Sequence, residues 1–151
     1  MNEGDPIPEV TVDTQDGALN LADLKGQGAI VYFYPKDDTP GCTREAQDFS
    51  ALADAFAAAG VAVVGISKDP PEKHAKFAAK HGLTVRLGSD SDGSVCDAFG
   101  TWGEKQLYGK TYMGIERATF LFGADGRLVR AWRKVKVPGH AQAVLEAAQT
   151  L

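Results

Sequence analysis

The 151-residue sequence predicts an α/β fold. Three stretches carry that prediction. Residues 29–33 (AIVYF) and 61–66 (VAVVGI) are continuous runs of β-branched, aromatic and other apolar residues, as fully buried strands are. Between them lies an amphipathic helical pattern. Residues 117–122 and 128–135, joined by Gly123-Ala-Asp-Gly126, form the clearest antiparallel hairpin signal in the chain. Strand, helix, strand implies a parallel pair with a right-handed crossover. A parallel half, an antiparallel hairpin and a closing helix together make a sheet covered by helices on both faces.

The elements follow in order. Residues 1–28 form an opening segment with a short strand around 10–12, a turn at Asp16-Gly17 and one helical turn near 21–24. The run at 29–34 is bounded by Gly28 and Pro35. From about 42 to 59, Ala46, Phe49, Leu52, Ala53 and Phe56 recur at helical spacing, with Thr39 before Pro40 as the expected cap and Gly60 as the stop. After the 61–66 strand, a helix is expected over 71–81, stopped by Gly82. A short strand at 85–87 and a short helix at 94–99 come next. The glycines and polar residues of 100–116 read as a long surface loop, a feature that often carries function. Beyond the hairpin, Pro138 opens a last helix with Ala141, Val144, Leu145 and Ala148 on one face.

Bulk properties narrow the function classes. The length suits one domain, large enough to bury a core without metal or disulfide. Net charge is −4, so no general attraction to nucleic acid or anionic membrane is expected. No apolar run approaches the ~20 residues of a membrane span, and the acidic start MNEGDP is no secretory leader. A cytoplasmic protein is expected, with its two cysteines held as thiols.

Cys42 concentrates the chemistry. It falls in the first turn of the predicted helix, where unpaired N–H groups and the helix dipole favour an anion. A cysteine so placed is favoured as the thiolate, the reactive form. A free cysteine is by default a small buried hydrophobe, but Asp37, Asp38, Thr39, Pro40 and Gly41 make a polar, turn-forming loop ahead of this one. The expectation is a reactive thiol leaving a surface loop, with the Thr39 hydroxyl directed at the same place.

The stretch Pro35-x-x-x-Thr39-x-x-Cys42 resembles the peroxidatic signature of the peroxiredoxins. The fuller Thr39-Pro-Gly-Cys-Thr-x-Glu45 is similar to the bacterioferritin comigratory protein, or peroxiredoxin Q, branch. Phe99-Gly-x-Trp102-Gly-Glu-Lys, Gly109-Lys-Thr-Tyr and Gly114-Ile-x-Arg117-x-Thr-Phe extend the likeness over nearly the whole chain. The resemblance implies a thioredoxin-like fold and a thiol-dependent peroxidase acting on hydrogen peroxide or organic hydroperoxides, with no metal, flavin or haem. It implies a thiol reductant such as thioredoxin, and a monomeric or weakly associating molecule.

In that chemistry Cys42 attacks one peroxide oxygen while the other departs, so donors fixed around both oxygens in a water-poor pocket are required. Arg117 is suited to the task, being permanently charged with several donors in a rigid fork. Thr39 and the N–H groups of Gly41 and Cys42 add donors, Pro35 shields the site, and Glu45 orients Arg117. Plainer roles stand beside these: a solvated strand end for Arg117, a helix cap for Thr39 and a strand terminator for Pro35.

Cys96 leaves an alternative open. Many relatives resolve the sulfenic acid with a second cysteine five residues after the first, here Gln47, or on the following helix, which has none between 71 and 81. Cys96 is read as a core residue of a short helix and the cycle as one-cysteine, with a Cys96-resolved cycle and a non-turnover thioredoxin-like sensor or binding module as the rivals.

Other signals carry less. The run from Gly103 to Gly109-Lys-Thr111 imitates a phosphate-binding loop with one intervening residue too many. His74, His81 and His140 show no ligand spacing and read as surface residues. Arg127, Arg130, Arg133, Lys134 and Lys136 read as charges that protect a sheet edge.

Overall fold

A computed structural model describes residues 1–151. Its centre is a seven-stranded mixed sheet in the order β2-β1-β5-β4-β3-β8-β9. The strands are β1 Thr11–Thr14, β2 Gly17–Asn20, β3 Gly28–Phe33, β4 Val61–Ser67, β5 Arg86–Ser89, β8 Ala118–Phe122 and β9 Leu128–Trp132. β3 runs parallel to β4 and antiparallel to β8, and β4 runs parallel to β5. The apolar run read from the sequence is thus a central strand, buried at every residue.

Because side chains alternate across a strand, β3 feeds two cores. Ile30 and Tyr32 point to the face covered by α1 Pro40–Ala51, α2 Ala53–Ala58, α3 Pro71–His81 and α5 His140–Ala148. Ala29, Val31 and Phe33 point to the other, covered by the opening segment and α4 Ser94–Phe99. On the first face Tyr32 stacks on Phe49 of α1 with ring centroids 4.5 Å apart. Gly65 on the neighbouring strand makes room for that tyrosine, since a Cβ there would lie 2.4 Å from its ring.

The expected helix at 42–59 begins two residues earlier and is two helices, broken at Leu52. Pro40 takes the first helical position, where its missing N–H costs nothing, which places Cys42 in the opening turn. α3 and α4 have the expected bounds, and Gly82 ends α3 in the left-handed conformation.

Three expectations are corrected. Residues 100–116 are not an unstructured loop but an antiparallel hairpin, β6 Trp102–Leu107 with β7 Lys110–Ile115, turning at Tyr108-Gly109 with φ of 51° and 77°. Both strands are largely exposed, so they show no alternation of apolar and polar residues by which a half-buried strand is recognised. β2 was hidden because none of its four residues is fully buried. His74 and His140, read as surface residues, are 5% and 7% exposed. Of the basic residues read as edge charges, Arg130 lies on the edge strand β9, whereas Arg133, just beyond it, is structural, bonding Glu116 and the carbonyl of Gly100.

Candidate active site

The site is built where the C-terminal end of β3 gives way to the N-terminus of α1. The last ladder bond runs from the Tyr34 N–H to the Ile66 carbonyl at 3.1 Å, after which the chain leaves the sheet through half-buried Pro35. Thr39 is the backbone N-cap of α1, but its side chain makes no cap bond. Its hydroxyl turns back and donates to the Lys36 carbonyl at 2.9 Å, closing a local turn of the kind serine and threonine favour. The N–H groups of Gly41 and Cys42, in the first turn of α1, are therefore left without a side-chain cap.

Cys42 is buried, 2% exposed, on the α1 face of the sheet. This differs from the surface position read from the loop's polarity, because α1 turns the thiol inward beside Ala46 and Phe49 while Asp38 and Arg44 face out. The sulfur nevertheless meets a charge. Arg117, which immediately precedes β8, donates from Nη2 to Cys42 Sγ at 3.3 Å and from Nη1 to Glu45 Oε1 at 2.7 Å. Its backbone is fixed in turn, since its carbonyl accepts from the Val135 N–H at 3.0 Å. Gly41 lets the guanidinium come close, because a Cβ at that position would stand 3.3 Å from Nη2.

The electrostatics follow from burial. Glu45 is 1% exposed, and burial pushes its carboxyl up to about 7 against the opposing pull of Arg117. Burial alone would lower the Arg117 value, but the charges of Glu45 and Cys42 outweigh it and hold the guanidinium above its usual range. Behind the site His140 bonds the Thr119 hydroxyl through Nε2 at 2.8 Å. Burial, aided by the charges of Arg117 and Arg130, lowers the histidine to about 4. A guanidinium held on a sulfur at a helix N-terminus sets charged and backbone N–H donors beside that sulfur, the arrangement that stabilises charge developing on an oxygen bound there.

Of the residues predicted from sequence, the structure brings together Cys42, Arg117, Glu45 and Gly41, and it places Thr39 and Pro35 on the loop that leads to them. Cys96 is elsewhere. It is fully buried in the core on the opposite face of the sheet, its N–H donating to Asp90 Oδ2 at 2.8 Å. Burial, reinforced by Asp90, pushes its thiol up to about 12. Both cysteines are free.

Sequence reasoning missed Asp37 and His74. Asp37 was grouped with the solvated loop residues but is 2% exposed, its carboxylate accepting from the Tyr34 hydroxyl at 2.6 Å and meeting His74 Nδ1 at 2.5 Å. The available signal was helical spacing, since His74 shares the inward stripe of α3 with Phe77, three residues on.

Known proteins resemble the chain over most of its length. The AhpC/TSA family profile matches residues 4–131. The chain is 46% identical over 149 residues to peroxiredoxin Bcp of Bacillus subtilis, covering 98% of this chain and 93% of that protein. It is 52% identical over 122 residues to peroxiredoxin Bcp of Xanthomonas campestris, covering 81% and 76%. Among solved structures, a Xanthomonas campestris bacterioferritin comigratory protein studied for alkyl peroxide reduction superposes with a TM-score of 0.91 at 42% identity, covering 99% and 98% of the two chains. Peroxiredoxin Q of Xylella fastidiosa gives a TM-score of 0.93 at 41% identity, covering 99% and 96%. The thioredoxin-like fold and a cysteine paired with an arginine thus occur together with whole-chain similarity, and the chain belongs to the AhpC/TSA family as a peroxiredoxin of the Bcp, or peroxiredoxin Q, kind, a thiol-dependent peroxidase.

Proposed function

We propose that this peroxidase reduces hydrogen peroxide and small organic hydroperoxides through Cys42 in a one-cysteine cycle closed by an external thiol, with thioredoxin the expected reductant. The observation that carries the reading is the Arg117 fork, one arm on the Cys42 sulfur and the other on Glu45. The thiolate attacks the nearer peroxide oxygen, the O–O bond breaks, and sulfur becomes sulfenic acid as hydroxide or alkoxide leaves and takes up a proton. Arg117 and the N–H groups of Gly41 and Cys42 stabilise the charge moving along the O–O axis. The donor role expected of Thr39 is corrected, because its proton is committed to the Lys36 carbonyl; its oxygen meets the hydroperoxide as an acceptor instead, taking the substrate's O–H and orienting it. Pro35 shields the pocket and Glu45 fixes the guanidinium. An incoming thiol then displaces water from the sulfenic acid to give a mixed disulfide, and a second thiol releases Cys42.

The one-cysteine form is supported by the sheet. Cys42 and Cys96 lie in cores on opposite faces, whereas a disulfide needs Cα atoms within about 7 Å. A thiol held at about 12 is also a poor partner, since the thiolate is the attacking form. A single-domain, monomeric, cytoplasmic protein completes the proposal. No helix is long and apolar enough to cross a membrane.

Intact mass after one equivalent of peroxide tests the assignment. Sulfenic acid adds one oxygen, whereas an intramolecular disulfide removes two hydrogens. The expected result is an added oxygen on Cys42, with steady peroxide consumption under a thiol reductant abolished in Cys42→Ser and retained in Cys96→Ser. Loss of two hydrogens, or loss of turnover in Cys96→Ser, would establish the two-cysteine cycle instead.

A further inference from the structure

The chemistry at Cys42 makes no use of His74, yet both ring nitrogens of this buried side chain are engaged. Nε2 lies 3.1 Å from the Gly88 carbonyl and Nδ1 2.5 Å from Asp37 Oδ2. A carbonyl only accepts, so Nε2 donates to Gly88 and Nδ1 faces the Asp37 carboxyl group. The other Asp37 oxygen accepts from the Tyr34 hydroxyl, and the Asp37 N–H donates to Asp69 Oδ2 at 2.8 Å. Asp69 also accepts from the Ser67 hydroxyl and from Lys73. Asp37 is thus tied by side chain and backbone to the ends of β3 and β4 and to α3.

The adjoining residue shows what this restraint does. Asp38 has φ of 60°, a left-handed conformation uncommon for residues with a side chain. Such strain persists where the surroundings over-determine it. α3 binds Asp38 through Lys80 at 2.8 Å and His81 at 2.7 Å, but these pairs are exposed and such contacts contribute little. The buried His74–Asp37 contact is the stronger restraint. One residue beyond Asp38 is Thr39, followed by Pro40, Gly41 and Cys42.

We propose that His74 is a positioning residue for the peroxide step: by holding Asp37 it fixes the turn at Asp38, and so sets Thr39 and the N–H groups of Gly41 and Cys42 around the Cys42 sulfur. The inference rests on Cys42 being the reacting thiol.

The test compares His74→Asn, His74→Gln and Phe77→Leu. The amide nitrogen of asparagine falls near the place of Nδ1 and keeps the bond to Asp37, whereas that of glutamine falls near Nε2 and keeps the bond to Gly88. Phe77→Leu loosens the same helix without removing a hydrogen bond to the loop. Three quantities are read on each: single-turnover oxidation of Cys42 by hydrogen peroxide, reduction of the oxidised protein by dithiothreitol, and the urea midpoint.

Misplacement of reacting groups by about 1 Å can cost on the order of 100-fold. His74→Gln is therefore expected to slow oxidation about tenfold or more, and His74→Asn by no more than about threefold. Reduction should change little in both, and Phe77→Leu should lower the midpoint without slowing oxidation. Equal slowing by asparagine and glutamine, or oxidation rates that follow the midpoint across all three variants, would overturn the proposal. If His74→Gln does not fold, Tyr34→Phe strips Asp37 of its other side-chain bond; slower oxidation supports the restraint and an unchanged rate overturns it. Wild-type protein that shows no Cys42-dependent oxidation overturns the assignment of the reacting thiol, and the positioning role with it.

Discussion

Gly41 has no side chain, and the space this leaves is taken up by the guanidinium of Arg117. In Gly41→Ala the new methyl, 3.3 Å from Nη2, must push the arginine by a few tenths of an ångström. Oxidation of Cys42 is then expected to slow by about threefold to tenfold, with the thermal midpoint nearly unchanged; a stopped-flow rate equal to wild type would show that the close approach has no catalytic weight. Glu45 belongs to the same scale. Its carboxyl is raised from 4.5 to about 7, so the folded protein binds the proton more tightly than the unfolded chain. The associated stability is complete below 4.5 and is lost as pH rises through about 7, at about 1.4 kcal/mol per unit within that window. His140 has the opposite sign. Lowered from 6.5 to about 4, it gives stability that is complete above 6.5 and lost as pH falls toward 4. The two slopes oppose each other between 4.5 and 6.5, so urea midpoints of Glu45→Gln should rise with pH across that range more steeply than those of wild type. An unaltered pH profile would contradict the assignment of Glu45. These residues differed in legibility. Cys42, Thr39 and Pro35 stand within one local motif, whereas Asp37 and His74 were missed because their contact spans 37 positions and only folding reveals that both are buried.

α1 is held to the sheet by few large side chains, and Phe49 is the principal one. It is 1% exposed, stacked on Tyr32 and in contact with Phe56 and His140. Phe49→Ala is expected to cost about 3–5 kcal/mol in urea unfolding; a loss below about 1 kcal/mol would mean that α1 is anchored elsewhere. Peroxide oxidation should fall as well, since the helix that loosens carries the sulfur. Elements that bury a face were readable from periodicity: α3 and α4 were placed to the residue, and β3 and β4 within one. β2, β6 and β7 were not, because strands with almost no fully buried residue leave no hydrophobic period to read. The hairpin turn at Tyr108-Gly109 lacks the Asn-Gly or Asp-Gly pair that usually announces one.

Across the whole molecule, the sheet both separates and assembles. It keeps Cys42 and Cys96 in different cores, both buried, the first beside Arg117 and the second beside Asp90 with its thiol pushed up to about 12, so native protein treated with iodoacetamide should be alkylated at Cys42 far faster than at Cys96. Comparable rates in peptide mapping would contradict the contrast between the two sulfur environments. The same sheet brings Arg117 to Cys42 across 75 positions of sequence by pairing β8 with β3. No local pattern encodes that contact, which became visible before folding only through the resemblance at Gly114-Ile-x-Arg117. The central claim is that this arginine, presented at a helix N-terminus, makes the sulfur reactive toward peroxide. The second-order rate of Cys42 oxidation in Arg117→Gln at neutral pH tests it most directly. A fall of about 100- to 1000-fold is predicted, the usual loss when a fixed donor to developing charge is removed. A rate within about twofold of wild type would contradict the account, since that is far below what such a donor contributes.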